Sequence, residues 1–132
     1  MTGHQVRLRK ATPVFLVGDI AATMEWYVSR LGFDADAIPE RPPYDFCILR
    51  NDDVVIFLQQ LTGYQKQDNY RDREGGVWSA YIETTGIDAL YRRLKEAGGV
   101  AILQPLRRQP YGQLEFEVRD PNGYVLVFAQ PV

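Results

Sequence analysis

Residues 12–33, TPVFLVGDIAATMEWYVSRLGF, and residues 79–100, SAYIETTGIDALYRRLKEAGGV, follow one plan. Each opens on a short strand-like run, passes through a polar turn, takes up helical spacing and closes on glycine. In the first copy Ile20, Met24, Tyr27, Val28 and Leu31 recur on one helical face, with Asp19 placed to cap the helix and Gly32 to stop it. In the second copy Ile87, Leu90, Tyr91, Leu94 and Ala97 recur in the same way, with Thr85 as the cap and Gly98 or Gly99 as the stop.

Strand signals follow each helix. In the first half residues 44–49 and Val54–Gln60 flank a turn at Asn51-Asp52-Asp53. In the second, residues 114–118 and 124–130 flank a turn at Asp120-Pro121-Asn122-Gly123, where glycine supplies the positive φ of a tight hairpin. A further strand in each half is predicted near residues 33–38 and 99–103. Each half therefore reads strand, helix, then two or three antiparallel strands. A unit this long, seen twice, predicts a duplicated module rather than a solenoid. The expected organisation is a single domain over 1–132: module 1 at about 11–60, a polar linker loop at 61–76, and module 2 at about 77–132. Loops of that length often carry function.

The totals exclude several classes. Hydrophobic residues at 45% and charged residues at 24% of the 132 positions suit a soluble globular protein. A formal net charge of -2 gives no basic face for a nucleic acid. No apolar run approaches the ~20 residues of a membrane helix. The start, MTGHQVRLRK, has no apolar core of a secretory signal, so a cytoplasmic protein is expected. Cys47 is the only cysteine, which excludes an intrachain disulfide and a cysteine zinc cluster.

Three stretches, PVFLVGDIAATMEWYVSRLGF, IDALYRRLKEAGG and PYGQLEFEVRDPNGYVLVF, give the chain a family look. The DP-x-G turn between two strands is the most specific of them. From about Ala11 to Gln130 the chain resembles the vicinal-oxygen-chelate superfamily of glyoxalases, bleomycin-resistance proteins and dioxygenases. The resemblance implies an α+β fold of two βαβββ modules, a cupped half-barrel of mixed sheet with the helices outside and a groove within. It also implies a homodimer. It does not name an activity, because the superfamily holds isomerases, ring-cleaving dioxygenases, epoxide-opening transferases and non-catalytic drug-binding proteins.

In the metalloenzymes of that superfamily His, Gln or Glu side chains enter the groove from the first and last strand of each module. Carried over, those positions are Thr12 and Ser79, then Phe57 and Val127. A catalytic divalent metal needs about three protein donors and an open site. Thr, Ser, Phe and Val are not such a set, and a slip onto Gln59 or Gln60 does not complete one. The only histidine, His4, sits in a polar tail. The expectation is no metal, no cofactor and no catalytic residue, which places the chain nearest the metal-free, bleomycin-resistance-like branch.

Strand alternation then fills the groove. Ser79, Tyr81 and Glu83 are expected to face in, with Val125, Val127 and Ala129, and Glu115 and Glu117. From module 1 come Asp45, Cys47 and Leu49, then Val55, Phe57 and Gln59. Ala80, Ile82, Leu114, Phe116, Val118, Tyr124, Leu126 and Phe128 are left to the helix side. Asp45, Glu83, Glu115 and Glu117 make the groove acidic, with no Lys or Arg on the alternating positions. Phe57 and Tyr81 give it aromatic walls, and Tyr64, Tyr70 and Tyr111 stand in loops that line sites or interfaces. At least one of Trp26 and Tyr27 is assigned to the core, Trp78 to packing against a helix or a partner chain, and Cys47 to a buried apolar position.

The candidate ligand-binding set is therefore Asp45, Phe57, Gln59, Ser79, Tyr81, Glu83, Tyr111, Glu115, Glu117 and Val127. It suits a cationic, partly aromatic small molecule. The expected function is non-catalytic binding that sequesters such a drug, bleomycin for example. The bland alternative leaves the carboxylates solvated at strand ends. The functional alternative is an enzyme, either a lyase or dioxygenase with an atypical or absent metal site or a metal-free catalyst using Tyr81 and Glu115.

Overall fold

A computed structural model describes residues 5–71 and 76–132, so His4 and residues 72–75 of the linker lie outside the described residues. The elements run β1 (Val14–Val17), α1 (Ile20–Leu31), β2 (Asp34–Ile38), β3 (Phe46–Asn51) and β4 (Val54–Gln60). A 3-10 turn at Asn69–Arg71 precedes β5 (Ala80–Glu83), α2 (Ile87–Ala97), β6 (Ala101–Arg108), β7 (Gln113–Arg119) and β8 (Val125–Pro131). They form two four-stranded sheets, β1-β4-β3-β2 and β5-β8-β7-β6. In each, the first strand pairs parallel with the last and the other pairs are antiparallel. This is the duplicated α+β arrangement the repeat predicts, as two open sheets.

Matching devices start the two helices. The Gln60 side chain accepts from the Ile20 backbone N–H at 2.9 Å. Gln130, at the same place on β8, accepts from Ile87 N–H at 2.9 Å. Each last strand thus satisfies a donor that the helix cannot satisfy itself. Asp19 adds a side-chain cap to α1 by accepting from Ala22 N–H at 3.1 Å, and Gly32 ends the helix at φ 74°. On α2 the expected cap moves: Gly86, not Thr85, holds the position and has no side chain to offer.

One apolar cluster runs through both halves, from Phe15, Val17, Tyr27, Leu49 and Ile56 to Ile82, Leu94, Phe116, Leu126 and Phe128. Two expected core positions are corrected. Val28 is 44% exposed, and Ala97 is exposed on the last turn of α2. On α1 the unexpected buried residue is Thr23, on the face towards the second half.

The halves are joined through α1 and the Asp120–Gly123 turn. Tyr27 donates to Asp120 at 2.8 Å, Asn122 donates to Thr23 at 2.9 Å, and the Trp26 indole donates to the Gly99 carbonyl at 3.2 Å. Tyr124, expected against its own helix, lies outside β8. Its ring stacks on Phe15 of the first half at 4.1 Å, and its hydroxyl donates to the Leu16 carbonyl at 2.6 Å.

Candidate functional site

Which side chains share a sheet face depends on the turn that sets each hairpin's register. In the second half Arg119 pairs with Val125, leaving the five residues 120–124 in the loop. Glu115 then stands opposite Ala129 and Glu117 opposite Val127, while Tyr81 is paired to Val127 across β5. These residues share the face away from the helix-side core, as alternation predicts.

In the first half Asn51 pairs with Val54, and only Asp52 and Asp53 form the turn, with Asp52 at φ 51°. Phe57 therefore faces Ile48, and Gln59 faces Phe46. The expected inward set on β3 is shifted by one residue. Cys47 and Leu49 are fully buried on the helix side, and Phe46, Ile48 and Arg50 replace them on the concave face. Asp45 has the parity of Cys47 and is exposed just before β3, away from that face. Val55, Phe57 and Gln59 do lie on the concave face, where Phe57 and Phe46 approach at 5.1 Å.

The second sheet holds the most developed constellation. Glu115 is 2% and Glu117 5% exposed. Each carboxylate is met by two aromatic donors. Tyr81 donates to Glu115 Oε2 at 2.5 Å and Tyr111 to Glu115 Oε1 at 2.6 Å. Tyr70 donates to Glu117 Oε1, and the Trp78 indole to Glu117 Oε2 at 3.2 Å. Trp78 and Tyr81 lie ring against ring at 5.0 Å and are 44% and 41% exposed. The result is two buried negative groups under a partly open aromatic surface. Burial, followed by the hydrogen bond to its carboxylate partner, raises the pKa of each tyrosine; Tyr111 is pushed up to about 12.

Tyr70, one of the loop tyrosines expected to line a site or an interface, belongs to this cluster, and so does Trp78, which sequence reasoning had placed against a helix or a partner chain. Basic residues also reach the concave faces. Arg119 continues the Glu115–Glu117 row; it sits 3.5 Å from Asp68 and over the Tyr70 ring at 5.8 Å. Arg50 on β3 pairs with Asp36 at 2.6 Å. Among the described residues no hydrogen bond, ion pair or ring contact joins Phe57 or Gln59 to the Glu115–Glu117 cluster. Glu83 is exposed at the end of β5 and borders a different cleft, of about 590 Å³, between the β3–β4 turn and the start of α2.

The positions that carry metal ligands in metalloenzymes of this shape do not fit a metal. Ser79 Oγ accepts from Val125 N–H at 3.0 Å, Val127 is fully buried hydrocarbon, and Phe57 presents a ring. Among the described residues no three His, Cys, Asp or Glu side chains gather as a metal set.

A protein of two open βαβββ sheets with this concave face falls within a known class. The profile of the Glyoxalase/Bleomycin resistance protein/Dioxygenase superfamily matches residues 10–128, and the chain belongs to that superfamily. A bleomycin resistance protein of Geobacillus stearothermophilus is 28% identical over 135 residues, covering 93% of this chain and 97% of the relative. Among solved structures, a bleomycin-binding protein of Streptomyces verticillus, complexed with copper(II)-bleomycin, superposes with a TM-score of 0.69 at 28% identity, over 94% of this chain and 97% of that one. A glyoxalase-related enzyme from Clostridium phytofermentans reaches 0.75 at 19% identity, over 98% and 100%. That likeness shows the fold alone. No helix among the described residues is long and apolar enough to cross a membrane.

Proposed function

We propose that the protein binds and sequesters a cationic, partly aromatic small molecule of the bleomycin kind, breaking no bond. The observation that carries the reading is the pair Glu115 and Glu117, buried beneath Trp78, Tyr81, Tyr111 and Tyr70. A ligand cation set on these rings gains cation–π attraction and the field of the two carboxylates buried beneath them. The carboxylates are already held by aromatic donors, so little reorganisation is needed when the ligand arrives. The relatives named for bleomycin resistance and bleomycin binding support the same ligand class.

The site would be completed in a cytoplasmic homodimer. Phe46, Ile48 and Phe57 make an apolar concave face in the first half that the Glu115–Glu117 cluster of the same chain does not touch. Set against the second half of another copy, it would supply the opposite wall of a groove and bring Gln59 to its edge. The metal-dependent form of the rival, a lyase or dioxygenase, needs metal donors that Thr12, Phe57, Ser79 and Val127 do not provide.

The test is calorimetric titration of the purified protein with bleomycin, metal-free and as the copper(II) complex, together with metal analysis after dialysis. Saturable binding with no stoichiometric metal in the protein is expected. A stoichiometric divalent metal that survives dialysis would overturn the non-catalytic reading, and absence of heat at high drug concentration would reject bleomycin as the ligand.

A further inference from the structure

The two halves repeat one plan, yet their helices meet the opposite half differently. Gln60 starts α1 at Ile20 as Gln130 starts α2 at Ile87, so Thr23 of α1 matches Leu90 of α2, and Trp26 matches Arg93. On the α1 side the joint is closed: Thr23, Trp26 and Tyr27 are hydrogen-bonded to Asn122, Gly99 and Asp120. On the α2 side Leu90 and Arg93 line the cleft of about 590 Å³, with the Asp52–Asp53 turn across from them. Among the described residues no side-chain hydrogen bond or ion pair joins α2 to that turn. Asn51 is committed to its own half, donating to the Leu31 carbonyl at 3.0 Å. The cause is hairpin length. Two residues turn β3 into β4, where five residues, 120–124, connect β7 to β8, so the shorter hairpin leaves the joint open.

The opening reaches the core. Leu31 is 6%, Phe33 4%, Ile82 8% and Phe128 7% exposed, and all four line the cleft. The other buried members of the cluster that joins the halves, Tyr124 apart, are 3% exposed or less. The floor is therefore hydrocarbon that the fold leaves uncovered. The rim is acidic. Asp52, Asp53 and Glu83 are exposed there, and none of their side chains has a hydrogen bond or ion pair among the described residues. Arg93 is the one cation in the lining. The start of α2 adds only about half a positive charge, so the three carboxylates prevail.

We infer that this cleft is a second binding site, for a small amphipathic monocation. Its alkyl or aryl part lies on Leu31, Phe33, Ile82 and Phe128, and its ammonium group sits at the Asp52, Asp53 and Glu83 rim. The apolar part supplies affinity by covering exposed hydrocarbon, and the sign of the rim selects the charge. Ile82 pairs with Phe128 on the helix side of the second sheet, while Glu115 and Glu117 stand opposite Ala129 and Val127 on the concave side. The sheet itself separates the two sites. An occupant of the cleft completes on the α2 side the joint that side chains complete on the α1 side.

The test titrates the full chain, isotope-labelled, with octylammonium chloride and with sodium octanoate, which share a chain length and differ in charge. Octylammonium is expected to shift the backbone amide resonances of Val54, Thr84 and Ala89 saturably, and octanoate to leave them in place. Asp53→Asn with Glu83→Gln removes two exposed charges and should weaken octylammonium binding roughly threefold to tenfold. Ala89 is exposed on α2 beside the cleft, so Ala89→Trp fills the space without disturbing the core and should abolish the shifts. Circular dichroism checks that both variants fold. No shift at these residues up to millimolar octylammonium, or shifts that survive Ala89→Trp, would overturn the site. Equal shifts with octanoate would overturn the charge assignment. Shifts that follow protein concentration alone would give the cleft to a second copy of the chain and overturn the small-molecule assignment.

Discussion

The hydroxyl of Tyr27, in the first helix, donates to Oδ2 of Asp120 at 2.8 Å, across 93 positions of sequence. Both groups are buried, and Asp120 also accepts from the backbone N–H groups of Asn122 and Tyr124 at 2.8 and 3.0 Å. The Asp-Pro-Asn-Gly turn, legible as a hairpin signal, is therefore also the joint between the halves. Tyr27→Phe should cost about 1–3 kcal/mol, because a buried acceptor loses a partner at an otherwise unchanged site. Urea unfolding measures it, and a change within ±0.3 kcal/mol would remove Tyr27 from the joint.

Asp120 also makes a pH prediction. Burial raises its pKa above the ordinary carboxylate value, against the hydrogen bonds that lower it. A raised folded-state pKa favours the folded protein most below the unfolded value of about 3.9, and that contribution is lost as pH rises through the folded value. Unfolding free energies of wild type and Asp120→Asn, compared from about pH 3.5 upward, should show the variant gaining on wild type as Asp120 ionises. A flat difference, or one with the opposite slope, would contradict this.

Gln60 and Gln130 should behave as equivalents. Each satisfies the first backbone donor of its own half's helix at 2.9 Å. Replacing either with Ala should cost about 1 kcal/mol, the range of a lost helix-start hydrogen bond. Gln60→Ala should be the costlier, because the Gln60 amide also donates to the Gly18 carbonyl at 2.6 Å. Chemical denaturation of the two variants decides the order.

Glu115→Gln or Glu117→Gln should weaken binding of a cationic drug roughly tenfold, about 1.4 kcal/mol, while leaving the fold intact. Trp78→Ala should weaken it by a similar factor through loss of a ring face. Titration calorimetry at two salt concentrations separates the causes. Each glutamate variant should show a weaker salt dependence, and the tryptophan variant should keep the wild-type dependence.

The tyrosines report the same cluster, and the joint between the halves, without a ligand. Tyr27, Tyr70, Tyr81, Tyr111 and Tyr124 all have raised pKa values, Tyr111 and Tyr124 to about 12. An ultraviolet titration should leave these five of the eight tyrosines protonated through about pH 11, and Glu115→Gln should bring Tyr81 and Tyr111 down. All eight ionising together near the ordinary value of about 10 would speak against the carboxylate contacts.

The sequence by itself determined the duplicated module, the two helices with the Asp19 cap and Gly32 stop, and the order of elements along the chain. Those follow from periodicity and from caps and turns, which act between residues close in the chain. It also read the concave face of the second half correctly, with Glu115, Glu117, Tyr81 and Val127 sharing one side. The first half shows the limit. There the turn at Asn51-Asp52-Asp53 could hold two residues or three, and a single residue moves a whole strand to the other face. Two were in the turn, so Cys47 and Leu49 went to the core and Phe46, Ile48 and Arg50 came to the surface. Tertiary structure alone decided that Tyr70 and Trp78 reach Glu117 and that Tyr124 stacks on the other half, because such contacts depend on how separate segments pack rather than on any local pattern.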